Sequence, residues 1–187
     1  MSILFVTETD EGRSVLASLR HQMGEVTVVG RHGDLTVELV RQLQPDLIIV
    51  CGWRRLIPQE IIDIPPRGVV GFHSAKLPEY PGRAPVPWAL VRRDLVTYDT
   101  MFYIDAGVDT GDIIDMRPVV LLGGDTPERV YRRMARASTE MLAQHLAGLL
   151  DGTAPRTPQD PARRGRLTTK DGWAAWYEME RLGAGHG

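Results

Sequence analysis

Two short stretches carry residue types that do acid–base chemistry. The first is Gly68–Trp88, GVVGFHSAKLPEYPGRAPVPW. Val69 to Phe72 is an apolar run that reads as a buried strand. His73 stands where that run stops and a loop rich in proline and glycine begins. A strand feeding an irregular loop is where α/β folds place their chemistry. A histidine there could also be satisfied by main-chain bonds alone. The second stretch is Asp105-Ala106-Gly107-Val108-Asp109-Thr110-Gly111-Asp112, a tight polar loop between two apolar runs. Its carboxylates can cap their own turn, or one of them can serve as the base beside an imidazole.

The elements that must position these residues follow from apolar periodicity. Ile3–Val6, Val26–Val29, Leu47–Val50 and Val69–Phe72 are short runs without alternation, as expected of parallel strands buried on both faces. Between the first three lie Val15, Leu16 and Leu19, then Leu35, Leu39 and Leu43 with Val40, at helical spacing. Gly24 ends the first helix and Pro45 the second. Strand and helix in alternation predict a parallel sheet with right-handed crossovers. Pro58–Ile62 reads as a short helix, and Val86–Val91 as another with prolines in its first turn. Thr97–Ile104 and Ile113–Val120 read as strands. Thr126 followed by Pro127 is a helix start. The helix behind it carries the stripe Val130, Met134, Ala137, Met141, His145 and Leu149, which makes His145 a core or interface histidine. The expected organisation is one three-layer α/β domain over residues 1–150. An extension over 151–187 packs on the core, carries Trp173, Trp176 and Tyr177, and ends in a disordered GAGHG tail.

Composition excludes several classes. With 43% hydrophobic and 25% charged residues in 187, the chain can build a full core. A net charge of −2 gives no overall pull toward nucleic acid or membrane, and the arginine pairs are dispersed along the chain. A single cysteine, Cys51, excludes an internal disulfide scaffold and a cysteine metal site, and no ligand-spaced cluster suggests a metal. The amino terminus has no basic leader and no run is long enough to span a bilayer, so a cytoplasmic protein is expected.

Taken together, His73-(x3)-Leu77-Pro78-x-Tyr80-x-Gly82 and Gly107-Val108-Asp109-Thr110-Gly111-Asp112-Ile113 resemble the two signature loops of the folate-dependent formyltransferases. Pro45–Val50 followed by Gly52-Trp53 is similar to a third landmark, and Gln159–Gly172 is a weaker echo. The resemblance implies a formyltransferase-like fold, with a reduced Rossmann-like amino-terminal half and a mostly parallel sheet. It implies N10-formyltetrahydrofolate as co-substrate and His73 with Asp109 as the catalytic pair. The pterin would meet main-chain groups of Arg55, Leu56 and Ile57, with Trp53 behind them and the Gly107-Val108 turn beside them. Gly71, Tyr80, Gly82, Arg83, Pro85 and Trp88 would face the acceptor.

Gly82-Arg83-Ala84-Pro85-x-x-Trp88 is most similar to the amino-sugar members, so a nucleotide-linked amino sugar is the expected acceptor. Nucleic acid is not expected, because the residues after Leu150 are too few for the RNA-binding barrel of the methionyl-tRNA members. An amino acid or hydroxylated amine acceptor stays open, as does a weakened folate- or nucleotide-sugar-binding protein. The apolar tail suggests a homodimer contact. The chain departs from the family pattern in having Gly71 where the family has asparagine, Ala75 where serine is common, and a shortened segment before Pro45.

Formyl transfer to an amine passes through a tetrahedral oxyanion. His73 would supply the donor to that oxygen, and Asp109 would orient the ring and take the amine proton.

Overall fold

The structure is a computed structural model and describes residues 1–183. Six strands and six helices follow one another: β1 Ser2–Val6, α1 Asp10–Leu19, β2 Glu25–Val29, α2 Val37–Leu43, β3 Leu47–Val50, α3 Gln59–Ile62, β4 Val69–His73, α4 Pro85–Val91, β5 Val96–Tyr103, β6 Ile113–Val120, α5 Pro127–Asp151 and α6 Gly172–Arg181. Threonines start three of the helices. The side chains of Thr9, Thr36 and Thr126 accept from the main-chain N–H of Gly12, Leu39 and Arg129, satisfying donors that have no partner within the helix. Leu35 precedes its cap, so it lies outside the helix that its spacing suggested. It packs on the core from the preceding turn.

The strands form one sheet in the order β2-β1-β3-β4-β5-β6. The pairs from β2 to β4 are parallel, and β5 and β6 are added antiparallel. Ile3, Phe5, Ile49, Val70 and Met101 pack against α1 and α5 on one face. Leu4, Val6, Ile48, Val50 and Val69 pack under α2 and α3 on the other. This is the expected three-layer, mostly parallel α/β arrangement. One expectation needs correction. β2 is not buried on both faces: it is the sheet edge, with one neighbour, and Thr27 and Val28 lie at the surface.

The extension packs against the core, with α6 on α4. Its aromatic residues turn inward. Trp176 is buried, and Trp173 stacks on Tyr131 of α5 with ring centroids 6.3 Å apart. Of the three, Tyr177 stays exposed. The GAGHG tail lies outside the described residues apart from Gly183. His145 is structural: its Nε2 meets the Asp115 carboxylate at 3.0 Å. Among the described residues, no helix is long and apolar enough to cross a membrane.

Candidate active site

Alternation along β4 sends Gly71 and His73 to one face, away from Val70, which packs under α5. His73 ends the strand at its carboxyl edge and is buried. Its Nε2 meets the main-chain carbonyl of Tyr80 at 2.8 Å. A carbonyl can only accept, so Nε2 carries a proton and donates it. Nδ1 faces Asp109 Oδ2 at 3.6 Å, too long for a hydrogen bond in itself.

Asp109 arrives from the loop between β5 and β6. Asp105 builds that loop, accepting from the Gly107 N–H at 3.1 Å and from the Thr110 hydroxyl. Gly107 must lack a side chain, since a Cβ there would lie 2.0 Å from Thr110 Oγ1. Asp109 itself has φ of +53°, left-handed backbone that a non-glycine residue seldom adopts. Its Oδ2 accepts from the Gly82 N–H at 2.8 Å, and its Oδ1 accepts nothing among the described residues. The side chains of His73 and Asp109 are therefore both tied to main-chain atoms of the loop running from Leu77 to Ala84.

Beside the pair lies a slot of about 100 Å³. Trp53, Arg55, Leu56, Ile57 and Gly107, all expected to meet the pterin, line it together with Gly71 and Asp109. Val108 does not, and its carbonyl is occupied by Arg164. Phe102 and Ile104 supply apolar wall. No main-chain group of Arg55, Leu56 or Ile57 bonds to another described residue. Unpaired main-chain groups along one edge of an apolar slot fit a flat heteroaromatic ring that exchanges hydrogen bonds with backbone.

The acceptor-facing residues divide. Gly71 lines the slot, but Ile104 has taken the space of its absent side chain: a Cβ on Gly71 would lie 2.9 Å from Ile104 Cδ1. Gly82 sits at Asp109, and the exposed Arg83 side chain makes no ion pair among the described residues. Tyr80 lends its carbonyl to His73 and its ring to the Arg92 guanidinium at 4.6 Å. Pro85 is the first residue of α4. The structure brings Trp88 to the extension. Its indole N–H donates to the Thr169 carbonyl at 2.9 Å, and its ring covers Gly172.

The sequence reading gave no role to Gln159, Arg164 and Thr168, which hold the two loops from behind. The faint similarity over Gln159–Gly172 was the only signal of them. A larger open concavity, about 390 Å³, is lined by Arg129, Arg132, Arg133 and Arg136 of α5, with neither His73 nor Asp109 among its walls. Among the described residues no group of histidine, cysteine and carboxylate side chains is placed to hold a metal.

A family model described as formyl transferase matches residues 8–146. Methionyl-tRNA formyltransferase from Acetivibrio thermocellus is 37% identical over 123 residues, which cover 66% of this chain and 40% of that protein. This chain thus spans well under half the length of that relative. Among solved structures, HypX from Aquifex aeolicus in complex with tetrahydrofolic acid has a TM-score of 0.78 at 24% identity, over 89% of this chain and 29% of that one. The formyltransferase PseJ from Anoxybacillus kamchatkensis, in complex with UDP-4,6-dideoxy-4-formamido-L-AltNAc and tetrahydrofolate, has a TM-score of 0.76 at 22% identity. It is matched over 98% of this chain and 90% of that one. The model match covers most of the chain and contains both His73 and Asp109, so the protein belongs to the formyl transferase family.

Proposed function

We propose that the protein transfers a formyl group from N10-formyltetrahydrofolate to the amine of an acceptor. The observation that carries this reading is the His73–Asp109 pair standing beside a slot whose Arg55–Ile57 edge has unpaired main-chain groups. Tyr80 fixes the ring by accepting from Nε2, which leaves Nδ1 as the nitrogen able to donate to the developing oxyanion once the ring is protonated. The Asp109 carboxylate beside it balances that charge, and its uncommitted Oδ1 can take the proton of the attacking amine. Gly71 contributes no donor. His73 is then the side-chain donor that the pair supplies, where an oxyanion donor is typically worth about 2.7–4 kcal/mol.

The acceptor we favour is a nucleotide-linked amino sugar. Arg83, exposed and without an ion pair one residue beyond Gly82, suits a phosphate group on an acceptor held at the Asp109 turn. Trp88 lends no support, because it is engaged by the extension. A second reading, an aminoacyl group on tRNA, is favoured by the identity to methionyl-tRNA formyltransferase. Incubating the protein with N10-formyltetrahydrofolate and either a UDP- or dTDP-linked amino sugar or methionyl-tRNA separates the two. Release of tetrahydrofolate with the sugar alone supports the first reading, and release with tRNA alone overturns it. Release with neither, nor with free amino acids, removes the transferase reading.

A further inference from the structure

We propose that residues 159–168 complete the catalytic site, with Gln159 and Arg164 as positioning residues that hold Asp109 toward His73. The inference rests on the reading of His73 and Asp109 as the catalytic pair. It starts from the backbone of Asp109. A left-handed φ at a non-glycine residue persists only where the surroundings fix it. Here the surroundings are two side chains from a segment some fifty residues further on.

The Gln159 amide spends both its hydrogens on this turn. Nε2 donates to the Asp109 carbonyl at 3.0 Å and to the Gly111 carbonyl at 2.8 Å. The Arg164 guanidinium forks onto the same turn, with Nη2 on the Val108 carbonyl at 2.6 Å and Nη1 on the Asp109 carbonyl at 3.3 Å. Three carbonyls of a four-residue turn are thus held from outside the loop. Gln159 Oε1 is buried and has no partner among the described residues, so the residue acts here through its donors.

The same segment grips the other loop. Thr168 N–H donates to the Pro81 carbonyl at 2.8 Å, the Arg83 N–H donates to the Thr168 carbonyl at 2.9 Å, and Gly165 N–H donates to the Pro78 carbonyl at 3.0 Å. Gly82 runs so close to this strip that a Cβ would lie 2.5 Å from the Thr168 carbonyl oxygen. Gly82 is also the residue whose N–H meets Asp109 Oδ2. One strip of chain therefore fixes the carboxylate's backbone on one side and its hydrogen-bond donor on the other. The separation between Oδ2 and Nδ1 is set by that strip as much as by the sheet.

The test uses Gln159→Glu, which keeps the shape and removes both donors. The whole protein is assayed with N10-formyltetrahydrofolate and hydroxylamine as a probe amine. The amine nitrogen bonds the formyl carbon and gives up a proton, the N10–formyl bond breaks, N10 takes up a proton, and tetrahydrofolate and formylhydroxylamine are released. We expect kcat to fall about a hundredfold while KM for the donor stays within about twofold, the pattern of a lost transition-state interaction. The double variant with Asp109→Asn should be no slower than Asp109→Asn alone. Hydrogen exchange at the Gly82 amide, followed by NMR, should lose protection in Gln159→Glu.

Unchanged protection of Gly82, or losses that multiply in the double variant, would overturn the proposal. If the wild-type protein releases no tetrahydrofolate, the transferase reading fails, while the Gly82 amide still decides the positioning role. If Gln159→Glu does not fold, Arg164→Lys carries the same readouts, since it keeps the charge but cannot fork onto two carbonyls.

Discussion

A histidine with one nitrogen fixed on a carbonyl has a single orientation to offer, and that makes His73 hard to replace. His73→Ala should lower kcat by at least about a thousandfold, since Gly71 has no side chain to share the oxyanion. Asp109→Asn should cost a similar factor, and the pair together little more than either alone, as rates of donor consumption would show. Gly71 poses a subtler test. Its φ is not left-handed, so Asn at 71 meets no backbone strain, and the obstacle is Ile104. Gly71→Asn should reduce activity, and adding Ile104→Ala should restore at least part of it. If the single change is harmless, Ile104 yields more easily than the 2.9 Å approach implies. His73 and Asp109 were legible because their types and spacing sit in recognisable loops. Ile104 was not, because its approach to Gly71 depends on how β4 and β5 pair, and nothing local in the sequence records that register.

At the scale of elements, two joints invite measurement. Where β5 meets α5, Asp99 is fully buried and bonded to the Ser138 hydroxyl. Burial pushes its carboxyl up to about 7, with the Ser138 bond opposing the shift. The folded state then holds a proton that the unfolded state releases at the ordinary carboxylate pH. The stability tied to that proton is complete below about pH 4 and is lost as pH rises toward about 7, at about 1.4 kcal/mol per unit at most. Asp99→Asn should therefore raise Tm at pH 8 and change it least near pH 4, read by thermal denaturation across pH. Where α4 meets the extension, Trp88→Ala should cost about 2–3 kcal/mol, less than a fully buried tryptophan, because its ring and N–H hold α6. Urea titration measures this. An unchanged midpoint with a raised KM would return Trp88 to the acceptor. The strands and long helix were legible from apolar runs and caps. The course of residues 152–171 was not: polar side chains bonding distant carbonyls leave no periodicity to read.

Across the whole molecule, charge is unevenly placed despite a net charge of only −2. Arg129, Arg132, Arg133 and Arg136 share one face of α5. Arg133 is spent on Asp125 and the Val120 carbonyl, and Arg129 reaches the Gly124 carbonyl. Arg132 and Arg136 make no ion pair among the described residues. If the acceptor is carried on tRNA, Arg132→Glu with Arg136→Glu should weaken tRNA binding at least tenfold in a filter assay, more steeply at low salt. If the acceptor is a nucleotide sugar, that pair of changes should leave its KM within about twofold while Arg83→Ala raises it. The arginines were visible in the sequence only as scattered pairs. Helical spacing gathers those of α5 on one face, and their distance from the active site belongs to the fold.

The strip that joins the His73 and Asp109 loops also sets an order of events during synthesis. The sheet is complete once β6 has been made, but Gln159, Arg164 and Thr168 leave the ribosome later. Bonds such as that between Thr168 and Pro81 span 87 positions of chain. At roughly 5–20 residues per second, the stretch between Asp151, where α5 ends, and Thr168 takes about 1–3 s to produce. A nascent chain in that interval holds a nearly finished core with an unset active site. Chains arrested on the ribosome with residue 150 exposed should therefore resist protease over the sheet yet release no tetrahydrofolate. Activity should begin only when residues 159–168 have emerged.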